Sequence, residues 1–270
     1  RKLIDRLAYA HDASMYRLVP EAVARPENES AVKGLLEYAH NSGTSIPFRA
    51  AGTSLSGQAV TKGIIAEVVR GWKGYEILDN GAAIQLQPGV IGGRANLYLQ
   101  PYHRRIGPDP ASIESAMIGG IISNNSSGMV CGVKHNSYHT LRHIRFILAN
   151  GNCYDTSNAD DYGKFLEVEK DLCTGLLLCR KEIATNSALK NKVRRKYSIK
   201  NTLGYSLNAF IDFDHPLDIF AHLLIGAEGT LAFFSSVTLN TIPDLPYKTT
   251  GLALFNDVTA GVAAIPYLSD

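Results

Sequence analysis

The segment SIPFRAAGTSLSGQ, residues 45–58, restricts the fold more than any other part of the chain: an extended apolar run ends in Arg49 and passes at once into a loop of small side chains. From Ala50 through Ala51, Gly52, Thr53, Ser54, Leu55 and Ser56 to Gly57 and Gln58, little prevents the backbone from approaching a ligand closely. Successive main-chain N–H groups in such a loop can converge on one anion, with Thr53, Ser54 and Ser56 adding hydroxyl donors and Arg49 balancing part of the charge. A diphosphate suits that concavity best. The segment is not a GxxxxGK[ST] loop, since no lysine is placed to reach a terminal phosphate, and it is not a GxGxxG turn opening a helix. Taken alone, these residues also suit a surface loop without a ligand.

The surrounding pattern places the loop. Val32, Leu35, Leu36 and Ala39 form the stripe of an amphipathic helix over residues 28–42, with Asn28 to cap its start and Gly43 just past its end. VPEAVA before it, SIPFR after it and GIIAEVV at 63–69 predict strands, giving a small βαβ lobe over about residues 18–72. The loop then lies at the carboxyl end of a strand, where open α/β sheets hold ligands.

From residue 73 the pattern changes. YEILD and AAIQLQ flank Asn80-Gly81, HIRFILA and NCYDT flank Asn150-Gly151, and both predict hairpins with the Asn-Gly pair of a type I′ turn. LAFFSSVTLNT at 231–241 is a third strong strand, so a larger, mainly antiparallel lobe with helices packed on it is expected over about 73–247. The predicted class is α+β in two joined lobes. TGLALF followed by NDVTAGVAAIPYL predicts a strand and helix that open a second domain at 248–270, continuing past Asp270.

At 270 residues, 45% hydrophobic, 19% charged and with a net charge of +2, the chain can build a full core and makes no case for nucleic acid as its partner. No apolar run approaches the roughly 20 residues of a spanning helix, and no signal peptide is visible. Cys131, Cys153, Cys173 and Cys179 lack C-x-x-C spacing, so they read as reduced thiols of a cytoplasmic protein and not as a zinc or iron–sulfur site.

A second block, GPDPASIESAMIGGIISNNSSGM, begins at Gly107. Pro108 and Pro110 stiffen the loop around Asp109, and Met117, Ile118 and Ile122 surround Gly119-Gly120. Each glycine inside helix-compatible sequence costs about 1 kcal/mol against alanine, so something approaches closely there. Asn124, Asn125, Ser126, Ser127 and Gly128 then offer hydrogen-bonding groups in a row. Tight apolar backing with a polar rim suits a planar, amide-bearing ring; the alternative is a helix crossing followed by a polar turn. In a third block, IGAEGT at 225–230, Glu228 anchors its loop by accepting backbone N–H bonds or touches a ligand, and anchoring is the preferred reading because a buried carboxylate needs donors. His135, His139 and His143 have helical spacing for a metal, but the strand that follows scatters them. Lys190, Lys192, Arg194, Arg195, Lys196 and Lys200 read as a solvated helix end, with peripheral docking to the inner face of a membrane as the weaker alternative.

In order and spacing these blocks resemble the FAD-binding domain of the vanillyl-alcohol oxidase / p-cresol methylhydroxylase (PCMH) superfamily over about residues 15–245. RAAGTSLSGQ is similar to that family's diphosphate loop Arg-Gly-Gly-Gly-Thr-Ser, with Ala50 and Ala51 replacing two glycines. GPDPAS with MIGGIISNNSSGM is similar to the segment along the ribityl chain and isoalloxazine, CGVKHNSYHTLRHIRFILANG to the Tyr-Gly loop and following strand with Cys131 in place of Tyr, and IGAEGTLAFF to Gly-Ser-Glu-Gly-Thr-Leu-Gly. HDASMYRLVPEAVARPENESAV and RRKYSIKNTLGYSLNAF resemble the FAD-linked D-lactate dehydrogenases and glycolate oxidase-like subunits. The resemblance implies a PCMH-type FAD-binding domain over 1–247 and cofactor contacts from Arg49–Gln58, Pro108–Pro110, Met117, Ile118, Gly119, Gly120, Ile122, Asn124, Asn125, Ser127, Gly128 and Glu228. It also implies dissociable FAD, because the loop has no histidine to tether it. The implied reaction is hydride transfer from a D-2-hydroxy acid such as D-lactate or glycolate to flavin N5, with electrons passing to a quinone, a cytochrome or an iron–sulfur partner. The catalytic base and carboxylate-binding cation are expected beyond this segment, so no catalytic residue is assigned. A flavin module that only relays electrons, and a nucleotide-binding scaffold without flavin, are the rival readings.

Overall fold

The structure, a computed structural model, describes residues 2–247 and 249–268. Arg1, Lys248, Ser269 and Asp270 lie outside the described residues, and with Lys248 goes the first residue of the expected second domain.

Strands β1 (Ala22–Ala24), β2 (Phe48–Arg49) and β3 (Ile64–Glu67) form a parallel sheet in the order β1-β3-β2, with β3 buried along its whole length in the middle. The helix Glu29–Ser42 connects β1 to β2. Asn28 caps it, its side chain accepting from Ala31 N at 2.9 Å, and Gly43 ends it in the left-handed conformation at φ 63°. The register sets Arg49 beside Glu67, a buried carboxylate that Arg25 neutralises at 2.9 Å.

The larger sheet contains β4 (Tyr75–Leu78), β5 (Ala83–Leu86), β6 (Arg104–Ile106), β7 (Leu141–Leu148), β8 (Cys153–Asp155) and β9 (Ala232–Pro243). Every pairing in it is antiparallel, in the order β4-β5-β9-β7-β8, with β6 also on β9. The predicted third strand is therefore its spine. Ile84, Leu86, Ile144, Phe146, Val237 and Leu239 point into a core closed by Phe165 and Leu176 on two neighbouring helices and by Leu217 and Phe220 on the helix Pro216–Leu223.

The two Asn-Gly hairpins differ. Asn80 and Gly81 both take positive φ, 53° and 86°, and Ala82 N donates to Asp79 O, as a type I′ turn requires. At the second, only Gly151 is left-handed, at φ 83°. Gly151 N donates to Leu148 O while Leu148 N donates to Asn152 O, which makes a three-residue loop with a glycine bulge. Asn150, the middle residue of that loop, uses its side chain to accept from Asn152 N at 3.0 Å.

Two further features bear on the predicted organisation. The lobes share packing: Trp72, Val32 and Val68 meet Ile147 and Phe233 of the larger sheet in one buried cluster, and Trp72 Nε1 donates to Pro26 O at 2.7 Å. After residue 249, the expected helix forms as Val258–Leu268, but TGLALF makes no strand. A strand exists only in a ladder, and no described strand pairs with this segment. Among the described residues no helix is long and apolar enough to cross a membrane.

Candidate functional site

The small-residue loop leaves the carboxyl end of β2 and bends back through Gly52 and Gly57, at φ 69° and 80°, conformations that favour glycine. Its neighbour is the short helix Ile118–Asn124. A Cβ on Gly119 would lie 3.1 Å from the Pro88 carbonyl oxygen and 3.3 Å from the Ala50 side chain, so the first glycine of the pair lets helix and loop close together. Gly120 meets nothing within 4 Å and faces open space.

Between them lies a cavity of about 390 Å³. Its polar end is the loop from Arg49 to Ser56, with Gln58. Among the described residues, no main-chain amide from Ala50 to Gly57 donates to an acceptor, and the residues from Ala50 to Ser56 border the cavity, which leaves a run of free donors beside it. The Ser54 hydroxyl donates to Gln58 Oε1. Arg49 Nη1 donates to the Tyr9 carbonyl at 3.2 Å, and the ion pairs among the described residues do not include it. Burial pulls its basicity down, so an anion in the cavity would find a partly desolvated, unpaired cation.

The other end is formed by Met117, Gly120, Ser123, Asn124 and Ser126, and Glu228 and Gly229 close the side. Phe48 and Phe233, with ring centroids 4.6 Å apart, give the apolar wall together with Phe234 and Val68. Glu228 adopts φ 53°, and its Oε1 accepts from Asn124 Nδ2 at 2.6 Å. Burial pushes its carboxyl above the ordinary range, against the smaller opposing effect of that hydrogen bond. The expected anchoring takes another form. Main-chain amides of the turn do it, Gly226 N donating to Ile122 O and Glu228 N to Ser123 O, while the carboxylate takes a side-chain amide instead of backbone N–H groups.

Of the residues read from the sequence, Arg49, Ala50, Ala51, Gly52, Thr53, Ser54, Leu55, Ser56, Gln58, Met117, Gly119, Gly120, Asn124 and Glu228 border this one cavity. The others stand behind it. Ile118 and Ile122 are fully buried in the main core, on the other side of the helix. Asn125 ends that helix at φ 50° and accepts from Tyr138 N. The Asp109 carboxylate, between Pro108 and Pro110, gathers the amides of Gly128, Val130 and Cys131, which keep it below the usual carboxylate range despite burial. Ser127 O accepts from Lys200 Nζ at 2.7 Å, and Gly57 backs onto the Tyr16 ring. His135 lies in a turn, His139 in the short helix Ser137–Thr140 and His143 on β7, so their even spacing is broken over three elements.

Ser126, read from the sequence as part of the polar row, also borders the cavity, while sequence reading missed Phe48, Val68, Pro88, Ser112, Ala116, Ile121, Ser123, Gly229, Phe233 and Phe234 as cavity walls. Ser112, Ala116, Ile121 and Ser123 belonged to a block already singled out. The strand aromatics carry no local sign of the site, because their role arises only when β2 and β9 meet.

The sequence matches the family described as FAD binding domain over residues 20–157. It is 28% identical over 251 residues to a D-2-hydroxyglutarate dehydrogenase of Pantoea ananatis, covering 88% of this chain and 24% of that protein. It is 29% identical over 140 residues to the glycolate oxidase subunit GlcD of Escherichia coli, covering 51% of this chain and 28% of the relative. A D-lactate dehydrogenase of Archaeoglobus fulgidus is 26% identical over 245 residues, covering 88% of this chain and 43% of the relative. The chain thus spans about a quarter of the length of the D-2-hydroxyglutarate dehydrogenases it matches. Among solved structures, an alkyldihydroxyacetonephosphate synthase superposes with a TM-score of 0.58 at 14% identity, over 90% of this chain and 37% of that one.

Proposed function

The chain belongs to the FAD-binding domain family, and from that premise we propose that it is the flavin-binding part of a dehydrogenase oxidising a D-2-hydroxy acid. The observation that carries the reading is the row of acceptor-free amides from Ala50 to Ser56, in residues that border the same cavity as Gly120 and Asn124. One end suits a diphosphate and the other a flat polar ring, a separation of chemistries that FAD has and an isolated phosphate lacks.

In this reading, the loop amides and the hydroxyls of Thr53, Ser54 and Ser56 hold the diphosphate, with Arg49 neutralising charge. The helix Ile118–Asn124 supports the ring: Gly120 leaves room for its edge, while Asn124 and Ser126 offer polar groups at the rim. Phe48 and Phe233 exclude water from the back of the cavity. The loop contains no histidine, so the cofactor is held without a covalent tether. When bound, FAD supplies the two-electron acceptor for a hydride leaving the substrate carbon. The base that takes the hydroxyl proton and the cation that binds the substrate carboxylate are assigned to chain outside residues 1–247, and the electrons leave to a quinone, cytochrome or iron–sulfur partner.

D-2-hydroxyglutarate, D-lactate and glycolate are the acids to test, because the names of the relatives include all three types. The FAD-loaded full-length protein, with the chain that carries the base and the cation, is expected to lose its visible flavin absorbance when titrated anaerobically with at least one of them; residues 1–270 alone are expected to be inactive. A spectrum unchanged by all three would refute the substrate class and leave a flavin relay.

A further inference from the structure

We propose that the segment Tyr9–Arg17 is a clamp that sets the shape of loop 50–57 from behind, with Tyr9 and Tyr16 as positioning residues for the diphosphate, taking the flavin reading above as its premise. The segment precedes the matched family region, which starts at residue 20. It is closed on itself: Leu18 N donates to Ala10 O at 2.9 Å, and His11 pairs with Arg17 across it. Inside, Asp12 Oδ1 accepts from Ser14 N at 2.8 Å and the Ser14 hydroxyl oxygen accepts from Tyr16 N at 3.2 Å, so the turn is stiffened by its own side chains.

This segment meets the loop at its three critical points. Ala13 N donates to Gly52 O at 3.0 Å, fixing the first left-handed glycine. The Tyr16 ring lies against the second, so close that a Cβ on Gly57 would come within 2.7 Å of it. At the start of the loop, the Tyr9 carbonyl accepts from Arg49 Nη1, and the Tyr9 ring lies 5.4 Å beneath the guanidinium. Asp12, 9% exposed, adds negative potential that favours the Arg49 cation. Tyr9 and Tyr16 do not border the cavity, so any effect they have on a ligand passes through the loop. A loop whose amides have no acceptors of their own needs an outside brace to keep them converging, and this segment makes the contacts of one.

The test is titration of the flavin-freed chain with FAD and, separately, with riboflavin, which lacks the diphosphate, followed by flavin fluorescence. Tyr16→Ala is expected to weaken FAD binding several-fold, the scale of losing one half-exposed aromatic contact, while leaving riboflavin binding at the wild-type value. Tyr16→Phe, which keeps the ring, is expected to restore wild-type FAD affinity. Tyr9→Leu, at the other end of the clamp, should shift FAD in the same direction and again spare riboflavin. Unchanged FAD affinity in both Tyr16→Ala and Tyr9→Leu overturns the clamp while leaving the flavin reading intact, as does an equal loss of FAD and riboflavin. Failure of the wild-type chain to bind FAD at all removes the premise, and the clamp with it.

Discussion

Asn124 donates its side-chain amide to Glu228 across 2.6 Å, tying the helix Ile118–Asn124 to the turn that closes the cavity. The pair has a pH signature. Burial raises the Glu228 carboxyl above its ordinary value of 4.5, so the folded protein holds that proton more tightly than the unfolded chain. The stability this confers is complete below the unfolded value and is lost as pH rises through the folded one. Melting temperatures of wild type and Glu228→Gln, measured from pH 4 upward, are expected to diverge in that direction, the variant losing less stability as pH rises. Parallel curves would contradict this.

Glu29 and Arg145 give the opposite slope. Arg145 Nε and Nη2 reach the two Glu29 oxygens at 2.7 and 2.9 Å, and Ser235 adds a hydroxyl donor, which together lower the Glu29 carboxyl against the cost of burial. This contribution is present above the unfolded carboxylate value and is lost as pH falls through the depressed one. Arg145→Met should therefore narrow the gap in acid-induced unfolding between neutral and low pH, read by circular dichroism. Both side chains are substantially exposed, so the effect is expected to shrink in high salt.

Gly52→Val is expected to abolish FAD retention. The residue sits at φ 69°, and a Cβ there would come within 2.8 Å of the Arg49 guanidinium, so a branched side chain displaces both the loop and its cation. Flavin content after purification checks it, and a wild-type content would remove the loop from the diphosphate site.

Gly120→Leu separates binding from folding. No atom lies within 4 Å of the position a Cβ would take, and leucine is favoured over glycine in a helix by roughly 1 kcal/mol, so the flavin-free chain should melt no lower than wild type. The added side chain occupies space claimed for the ring, and FAD affinity should drop at least tenfold in a fluorescence titration. His139→Ala is the control: its ring bonds Asn136 and packs on Tyr138 outside the cavity, and flavin content should be nearly unchanged.

What the sequence could reveal followed from range of interaction. The capped helix Glu29–Ser42, the first Asn-Gly turn and the close approach at Gly119 are each decided within a few residues, and each formed where the pattern placed it. The second turn changed type because Leu148 and Asn152 pair across it, adding Ala149 to the loop. TGLALF has the composition of a strand but lacks a described neighbour, and composition cannot supply one. In the site, glycines and small polar residues stood out through the order and spacing of three blocks, since any one of them alone also suits a surface turn. Phe48 and Phe233 did not, since an aromatic on a strand is ordinary until another strand brings its partner.

Phe233 belongs to two structures at once: it lines the cavity, and it packs edge-on against Trp72 in the cluster joining the two sheets. A molecule seated on that ring leans on the seam of the fold, so cofactor loss and parting of the lobes should coincide in one melting transition, shifted upward by added FAD.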